Sequence, residues 1–303
     1  MNYTKPPLTV ERQIALLSDR GMVGERKLME RALATVSYYR LSAYWYHRRN
    51  PDDSFQPGTT FESAWARYVF DRELRLHVMD AIETFEIAVR TQLSYHHAHS
   101  FSDAFAYVDD RGLPGLRQSE RNTFRDKVRV EVGRSHEDFV IHFNKKYGNS
   151  HSDLPIWMAT EVMSFGNVMR LFDGSPRQVR VAVAGYFGVP DVVFRSWILA
   201  LNTVRNICAH HCRLWNRHIG TKPQIPHAHK YPEWHAPVQV NNDRLFGILT
   251  IANYCVGKVV PESRWGARLR ELLCSHATIP LKNMGFPGNW LDSPLWSNAR
   301  PTD

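Results

Sequence analysis

Three side chains within six residues carry the chemistry that this sequence offers. They are Arg205, Asn206 and His210, in the stretch LNTVRNICAHH at residues 201–211. An imidazole titrates near neutral pH, so His210 can take a proton from one oxygen or deliver one to another. A guanidinium stays charged and stabilises negative charge that develops in a water-poor site. The carboxamide of Asn206 can orient the imidazole or donate to a phosphate oxygen. Together these groups suit cleavage of RNA, which carries its own nucleophile in the 2′-hydroxyl. A base takes that proton, an acid protonates the departing 5′-oxygen, and a cation holds the charged phosphorus centre. The expected products are a 2′,3′-cyclic phosphate and a free 5′-hydroxyl, with no metal and no cofactor required.

The spacing alone is weak. Arginine followed five positions later by histidine occurs as Arg72/His77, Arg205/His210 and Arg213/His218. With 29 arginines and 15 histidines in 303 residues, about one or two such pairs arise by chance. Only Arg205 is followed at once by Asn within a strongly amphipathic helix, expected over residues 190–211 with Pro190 in its first turn. At 100° per residue, Val193, Trp197, Ala200, Leu201, Val204, Ile207 and Cys208 fall on one apolar arc of about 120°. Asn202, Arg205, Asn206 and His210 fall on a separate arc of about 140°. The plain alternative is a solvated helix face with an incidental histidine.

Other elements must position that helix, and helical spacing dominates the rest of the chain. Helices are expected after Thr9 up to Gly21, from Glu25 to Val36 and on toward Tyr44, and over residues 61–97 as one long or two consecutive segments. More follow at 119–147 with a break near Gly133 and a cap from Ser135 with Asp138, at 155–172, at 176–186, at 242–260 and at 261–276. Loops are expected at 50–60, 109–114 and 220–240 from their Pro, Gly, Asp and His content. The tail from Pro280 holds Pro, Gly and Trp and is expected to pack on the surface. The reading is an all-α protein with one main core: an N-terminal helical extension at 1–60, a principal helical domain at 61–276 and a tail at 277–303.

A second polar stripe lies on the long helix before residue 98. Glu83, Glu86, Arg90, Ser94 and His97 fall within about 80°. Glu86, Arg90 and His97, with Asn202, are candidates to support the Arg205 site; the alternative is ordinary pairing at i, i+4, such as Glu86 with Arg90. Arg121, Arg125 and Arg129 share a face at i, i+4 and are candidates to hold phosphates, or else form a solvated face. Arg40 stands with Arg48 and Arg49 among Tyr38, Tyr39, Tyr44, Trp45 and Tyr46, a set able to stack bases if about one third is exposed. Cys208, His210, His211 and Cys212 raise zinc, but two ligands at best converge there, so no metal is expected. His227, His229 and His235 lie in a Pro-containing loop and are read as solvated or RNA-facing.

The composition is that of a globular protein, 43% apolar and 22% charged. The net charge of +8 and pI of about 9.4 come mostly from Arg, which favours nucleic acid as a partner. No apolar run spans a membrane. The polar N-terminus lacks a secretory signal, so a cytoplasmic location is expected. Four cysteines without a C-x-x-C pair are not a disulfide framework. Motifs of P-loop, dinucleotide-binding, zinc-protease and serine-hydrolase type are absent.

The stretch LNTVRNICAHHCRLWNR (201–217) resembles the R-N-x-x-x-H signature of HEPN domains, helical ribonucleases of toxin–antitoxin, abortive-infection and CRISPR systems. VSYYRLSAYWY (36–46), FDRELRLHVMDAIETFEIAVRTQLSYH (70–96) and LPIWMATEVMSFGNVMRLF (154–172) resemble, in this order, Abi-like proteins of bacterial abortive infection of the AbiD/AbiF type. These segments cover about two-thirds of the chain. The resemblance implies a HEPN-like helical bundle with additional N- and C-terminal helices. It implies an anti-phage RNase toxin in which Arg205 and His210 carry catalysis and Asn206 supports them. It further implies a homodimer with a composite site, and restraint by a structured non-coding RNA, as in some relatives. A helical protein that binds RNA or a partner without cutting is the alternative.

Overall fold

The computed structural model describes residues 2 and 6–299. Residues 1 and 3–5 of the expected N-terminal extension, and 300–303 of the expected tail, lie outside the described residues. Within the described residues the chain is all-α: helices and short 3-10 turns, with two isolated bridges, Val23–Thr60 and Arg49–Phe55, as the only extended pairing.

One helix organises the rest. α4, Phe61–Phe101, runs unbroken for 41 residues, about 60 Å at 1.5 Å per residue. No Gly or Pro interrupts it. The Thr60 hydroxyl accepts the Ser63 backbone N–H at 3.2 Å, and Glu62 sits in the first turn, where a carboxylate favours the helix N-terminus. It ends where Ser102 turns left-handed, at φ 49°. Helices α2 (Arg26–Val36), α3 (Tyr38–Trp45), α7 (Ile156–Val162), α8 (Phe165–Gly174), α9 (Arg177–Tyr186), α10 (Asp191–Ala209), α11 (Leu245–Val259) and α12 (Trp265–Ser275) all pack on it. That wrapping explains why polar groups of α4, among them Asp71, Arg75, Arg90 and His97, are buried.

Two breaks depart from the periodic pattern for one reason, a serine hydroxyl offering the backbone an alternative partner. The expected helix from Glu25 toward Tyr44 breaks at Ser37, at φ 75°, whose side chain caps α3 by accepting from the Arg40 N–H. The expected helix at 155–172 breaks likewise, and Ser164 caps α8 through the Asn167 N–H. Ser135 closes α5 (Gln118–Arg134), while Glu137 holds the cap position of α6 (Asp138–Tyr147). Pro190 is the N-cap residue of α10 and so precedes its first turn. α1 (Val10–Asp19) starts at Thr9 and stops before Gly21 as its spacing predicts.

A single hydrophobic cluster runs from Ile14 to Ala299. α10 buries Val193, Trp197, Ala200, Leu201, Val204 and Cys208 as its apolar arc predicts, half-buries Ile207, and adds Phe194 and Ile198. The tail departs from expectation. It enters the core, with Met284, Phe286, Trp290, Trp296 and Ala299 buried. Trp290 meets Trp296 edge-on at 5.1 Å, and the Trp296 indole donates to Thr250 Oγ1 at 3.1 Å. Its 3-10 turns turn rings inward without the helical period that would have announced them. No helix of the described residues is long and apolar enough to cross a membrane.

Replacing Trp296 by Ala empties a fully buried indole site, so the variant should lose about 3–5 kcal/mol of stability. Urea unfolding reads this directly, and a loss below about 1 kcal/mol would return the tail to the surface.

Candidate functional site

α10 ends at His210 in a left-handed cap. His211, at φ 55°, donates its N–H to the Cys208 carbonyl at 3.0 Å, and Cys212 donates to the Ile207 carbonyl at 2.9 Å. This pair of bonds satisfies the last helical carbonyls and directs the chain sharply away from the helix axis. Glycine usually holds this left-handed position because it has no Cβ to clash. Here the following turn is held from outside. Arg40 of α3 donates to the His211 carbonyl, and Arg213 donates to the Ala43 carbonyl at 2.6 Å. The Leu214 N–H, at 3.0 Å, and the Trp215 N–H both donate to Asp71 Oδ1.

Asp71 is fully buried within α4. Its second oxygen accepts from the Tyr44 hydroxyl and from Arg75. Burial pushes its carboxyl above the usual carboxylate range, while Tyr44, Arg75 and the two backbone N–H groups pull it back down. Burial also pushes the Tyr44 hydroxyl up, with the Asp71 charge adding to it. One carboxylate therefore ties α3, α4 and the turn after α10 together, three residues beyond His211.

Arg205 lies one turn earlier. Its Nε stands 3.9 Å from Glu86 Oε2 of α4. That Nε is buried without a hydrogen-bond partner, yet the side chain as a whole is 38% exposed, so its remaining part reaches the surface. Glu86 is held in turn by Arg90, and Arg90 donates to the Thr160 carbonyl of α7. The Glu86–Arg90 pair expected at i, i+4 thus forms, and it also fixes the carboxylate that faces Arg205. Asn206 and His210 are exposed and Asn202 is half-buried. A hollow of about 840 Å³ between α5 and α8, lined by residues such as Glu131, Asn167 and Arg170, contains none of the motif side chains. The motif occupies an open face whose backbone is rigidly held.

Other candidates lie elsewhere. His97 is fully buried, pairs through Nε2 with the Gly112 carbonyl at 2.9 Å, and packs on Phe101. Burial pushes its pKa down, and it serves the core rather than the Arg205 face. Arg121 and Arg125 both pair with Asp110, and Arg129 pairs with Asp153. The three arginines of the expected phosphate-binding face of α5 thus share two carboxylates from neighbouring loops. Arg40, in contrast, stands at the end of α10 beside His211. Of the aromatic set near it, Tyr39 and Tyr46 are exposed, Tyr44 and Trp45 are core residues, and Tyr38 is half-buried. His77 of the first chance pair stacks on Trp265 at 4.6 Å. Among the described residues no three His, Cys, Asp or Glu side chains converge to hold a metal. Burial pushes the Cys208 thiol up to about 12.

Asp71, Arg75 and Tyr44 were not legible as positioning groups. The available signal was opposite charges at i, i+4 on the apolar stripe of α4, in line with Val78, Ile82, Phe85 and Val89.

Against known proteins, a family model described as Abi-like protein matches residues 31–216, more than half of the chain. The match includes Arg40, Asp71, Glu86, Arg90, Arg205, Asn206 and His210. No curated protein and no solved structure matches.

Asp71→Ala leaves a buried guanidinium and two backbone N–H groups without their acceptor, so it should cost about 3–5 kcal/mol in denaturant unfolding. Tyr44→Phe removes one donor only and should cost about 1 kcal/mol. Equal small losses in both would remove Asp71 from its central place.

Proposed function

This chain belongs to the Abi-like protein family, and on that premise we propose that it is a metal-independent endoribonuclease of HEPN type, acting in abortive-infection defence. The observation that supports the reading is that Arg205, in the last turns of α10, and His210, at its end, both reach solvent beside anchored partners. Arg205 is faced by a Glu86 carboxylate that is itself anchored. His210 is exposed at a helix end whose following turn is bound to α3 and α4. Such a frame holds the backbone that carries both residues before substrate arrives, which favours electrostatic stabilisation of a transition state.

In the proposed reaction the 2′-hydroxyl oxygen attacks phosphorus as its proton passes to an imidazole. The bond from phosphorus to the 5′-oxygen breaks, and that oxygen takes a proton from an acid. Arg205 faces the non-bridging oxygens, where negative charge accumulates, and Asn206 donates to one of them or orients the imidazole. Base and acid must stand on opposite sides of the phosphorus. His210 reaches one side only, from an open face. We therefore propose that a second copy of the chain closes the site and supplies the opposite imidazole from its own His210.

The test incubates purified wild type, Arg205→Ala and His210→Ala with total cellular RNA in EDTA. Wild type should cut and leave 2′,3′-cyclic phosphate ends, and each variant should be slower by about 10²–10⁴-fold. Intact RNA with the wild type, despite measurable binding, would favour a protein that binds RNA without cutting it; equal cutting by His210→Ala would remove His210 from catalysis. Expression of the wild type should arrest growth and the His210→Ala form should not. Sedimentation should give a dimer of the 35.1 kDa chain, and a monomer that still cuts would exclude the composite site.

A further inference from the structure

Thirty carboxylates are spread over 303 residues, yet residues 192–232 contain none over 41 consecutive positions. The same stretch holds Arg195, Arg205, Arg213, Arg217, Lys222 and Lys230, with five histidines. Three of these cations have partners already described or close by: Arg195 pairs with Asp173 at 2.7 Å, Arg205 faces Glu86, and Arg213 holds the Ala43 carbonyl. The remaining three, Arg217, Lys222 and Lys230, are exposed and, among the described residues, face no carboxylate in an ion pair. His218, His227 and His229 are exposed between them.

Placement gives this segment a direction. After the turn at His211 the chain runs back along α10. Thr221 Oγ1 lies 3.3 Å from Thr203 Oγ1. The Gln224 N–H donates to Ser196 Oγ at 2.8 Å, and the Trp197 indole donates to the Gln224 carbonyl at 2.8 Å. Counting 100° per residue, Ser196, Thr203 and His210 share one side of α10. The returning segment thus lies on the side of the helix that ends in His210. It leads to a hollow of about 660 Å³ beside Pro190 and Val193, lined by His227, His229, Lys230 and Tyr231. From His210 to that hollow α10 measures about 30 Å, room for several nucleotides.

We infer that residues 217–231 form the binding tract for single-stranded RNA, carrying the strand along α10 to His210. This rests on the reading of the chain as an RNA-cutting protein and names where the substrate lies. Free cations track phosphates by releasing counterions, and the interleaved imidazoles and the Tyr231 ring offer flat faces on which unpaired bases stack. The α5 arginines differ in being ion-paired, Arg121 and Arg125 with Asp110 and Arg129 with Asp153. The acidic boundaries of the tract are Asp191, which is paired with Arg180, and Glu233.

The experiment measures binding of a fluorescent single-stranded RNA of about 12 nucleotides, methylated at every 2′-oxygen so that it cannot be cut. Fluorescence anisotropy at several salt concentrations compares the wild-type chain with the triple variant Arg217→Ala, Lys222→Ala, Lys230→Ala, and with Arg129→Ala as an ion-paired control. The triple variant should bind at least about tenfold more weakly, and its salt slope should fall by about 2, near 0.7 for each cation removed. Arg129→Ala should match the wild type in both. Circular dichroism of the triple variant should be unchanged, since all three side chains are exposed. An unchanged affinity and slope in a folded triple variant overturns the tract, and so does a wild-type chain that fails to bind. The nuclease reading is scored separately, by cutting of unmodified RNA in EDTA. Cutting with an unaffected triple variant defeats the tract alone; tract-dependent binding without cutting defeats the nuclease alone.

Discussion

The fully buried carboxylate of Asp71 holds the site's frame. It lies inside the longest helix, out of water, where an unpaired charge would be very costly. Four donors meet it: the Tyr44 hydroxyl from α3, Arg75 from the next turn of α4, and the backbone N–H groups of Leu214 and Trp215. The last two belong to the segment that follows His210. A helix end is normally where a chain frays. Here the end of α10 is clamped to two other helices, because leaving it would strip a buried anion of half its partners.

The same logic of anchored charge sets Arg205. A lone surface ion pair contributes little and holds nothing in place. The Glu86 that faces Arg205 is different, since Arg90 holds it and Arg90 is fixed by a carbonyl of α7. α4 therefore supplies both supports, Asp71 for the histidine end and Glu86 for the arginine, about four helical turns apart along its length. One long helix presents a buried acid to the turn after α10 and a half-buried acid to Arg205, and so holds the backbone at that end of α10.

Charge is distributed unevenly for a physical reason. Arginines on α5 look like a phosphate-binding row, yet they pair with Asp110 and Asp153 of neighbouring loops. On the segment after His210, Arg217, Lys222 and Lys230 have no such ion-pair partner among the described residues, and the segment itself carries no carboxylate. A net charge of +8 says only that positive potential exists somewhere. Where it is free to meet an anion depends on which loops come back to which helix.

The sequence alone determined what depends on local period and local chemistry. Helical spacing gave the all-α class, the apolar arc of α10 and the common side of Asn206 and His210, because residues about 3.6 apart meet whatever the rest of the chain does. It also gave the Glu86–Arg90 pair, which is a contact within one helix. Only tertiary structure decided what joins residues far apart. Asp71 and Leu214 are separated by 143 positions, Arg40 and His211 by 171, and no periodicity links them. It buried His97 beneath Gly112, paired Arg121, Arg125 and Arg129 with Asp110 and Asp153, and drew Trp290 and Trp296 into the core through 3-10 turns that have no amphipathic signature. Burial and ion pairing between elements are properties of packing, and packing is settled by the whole chain at once.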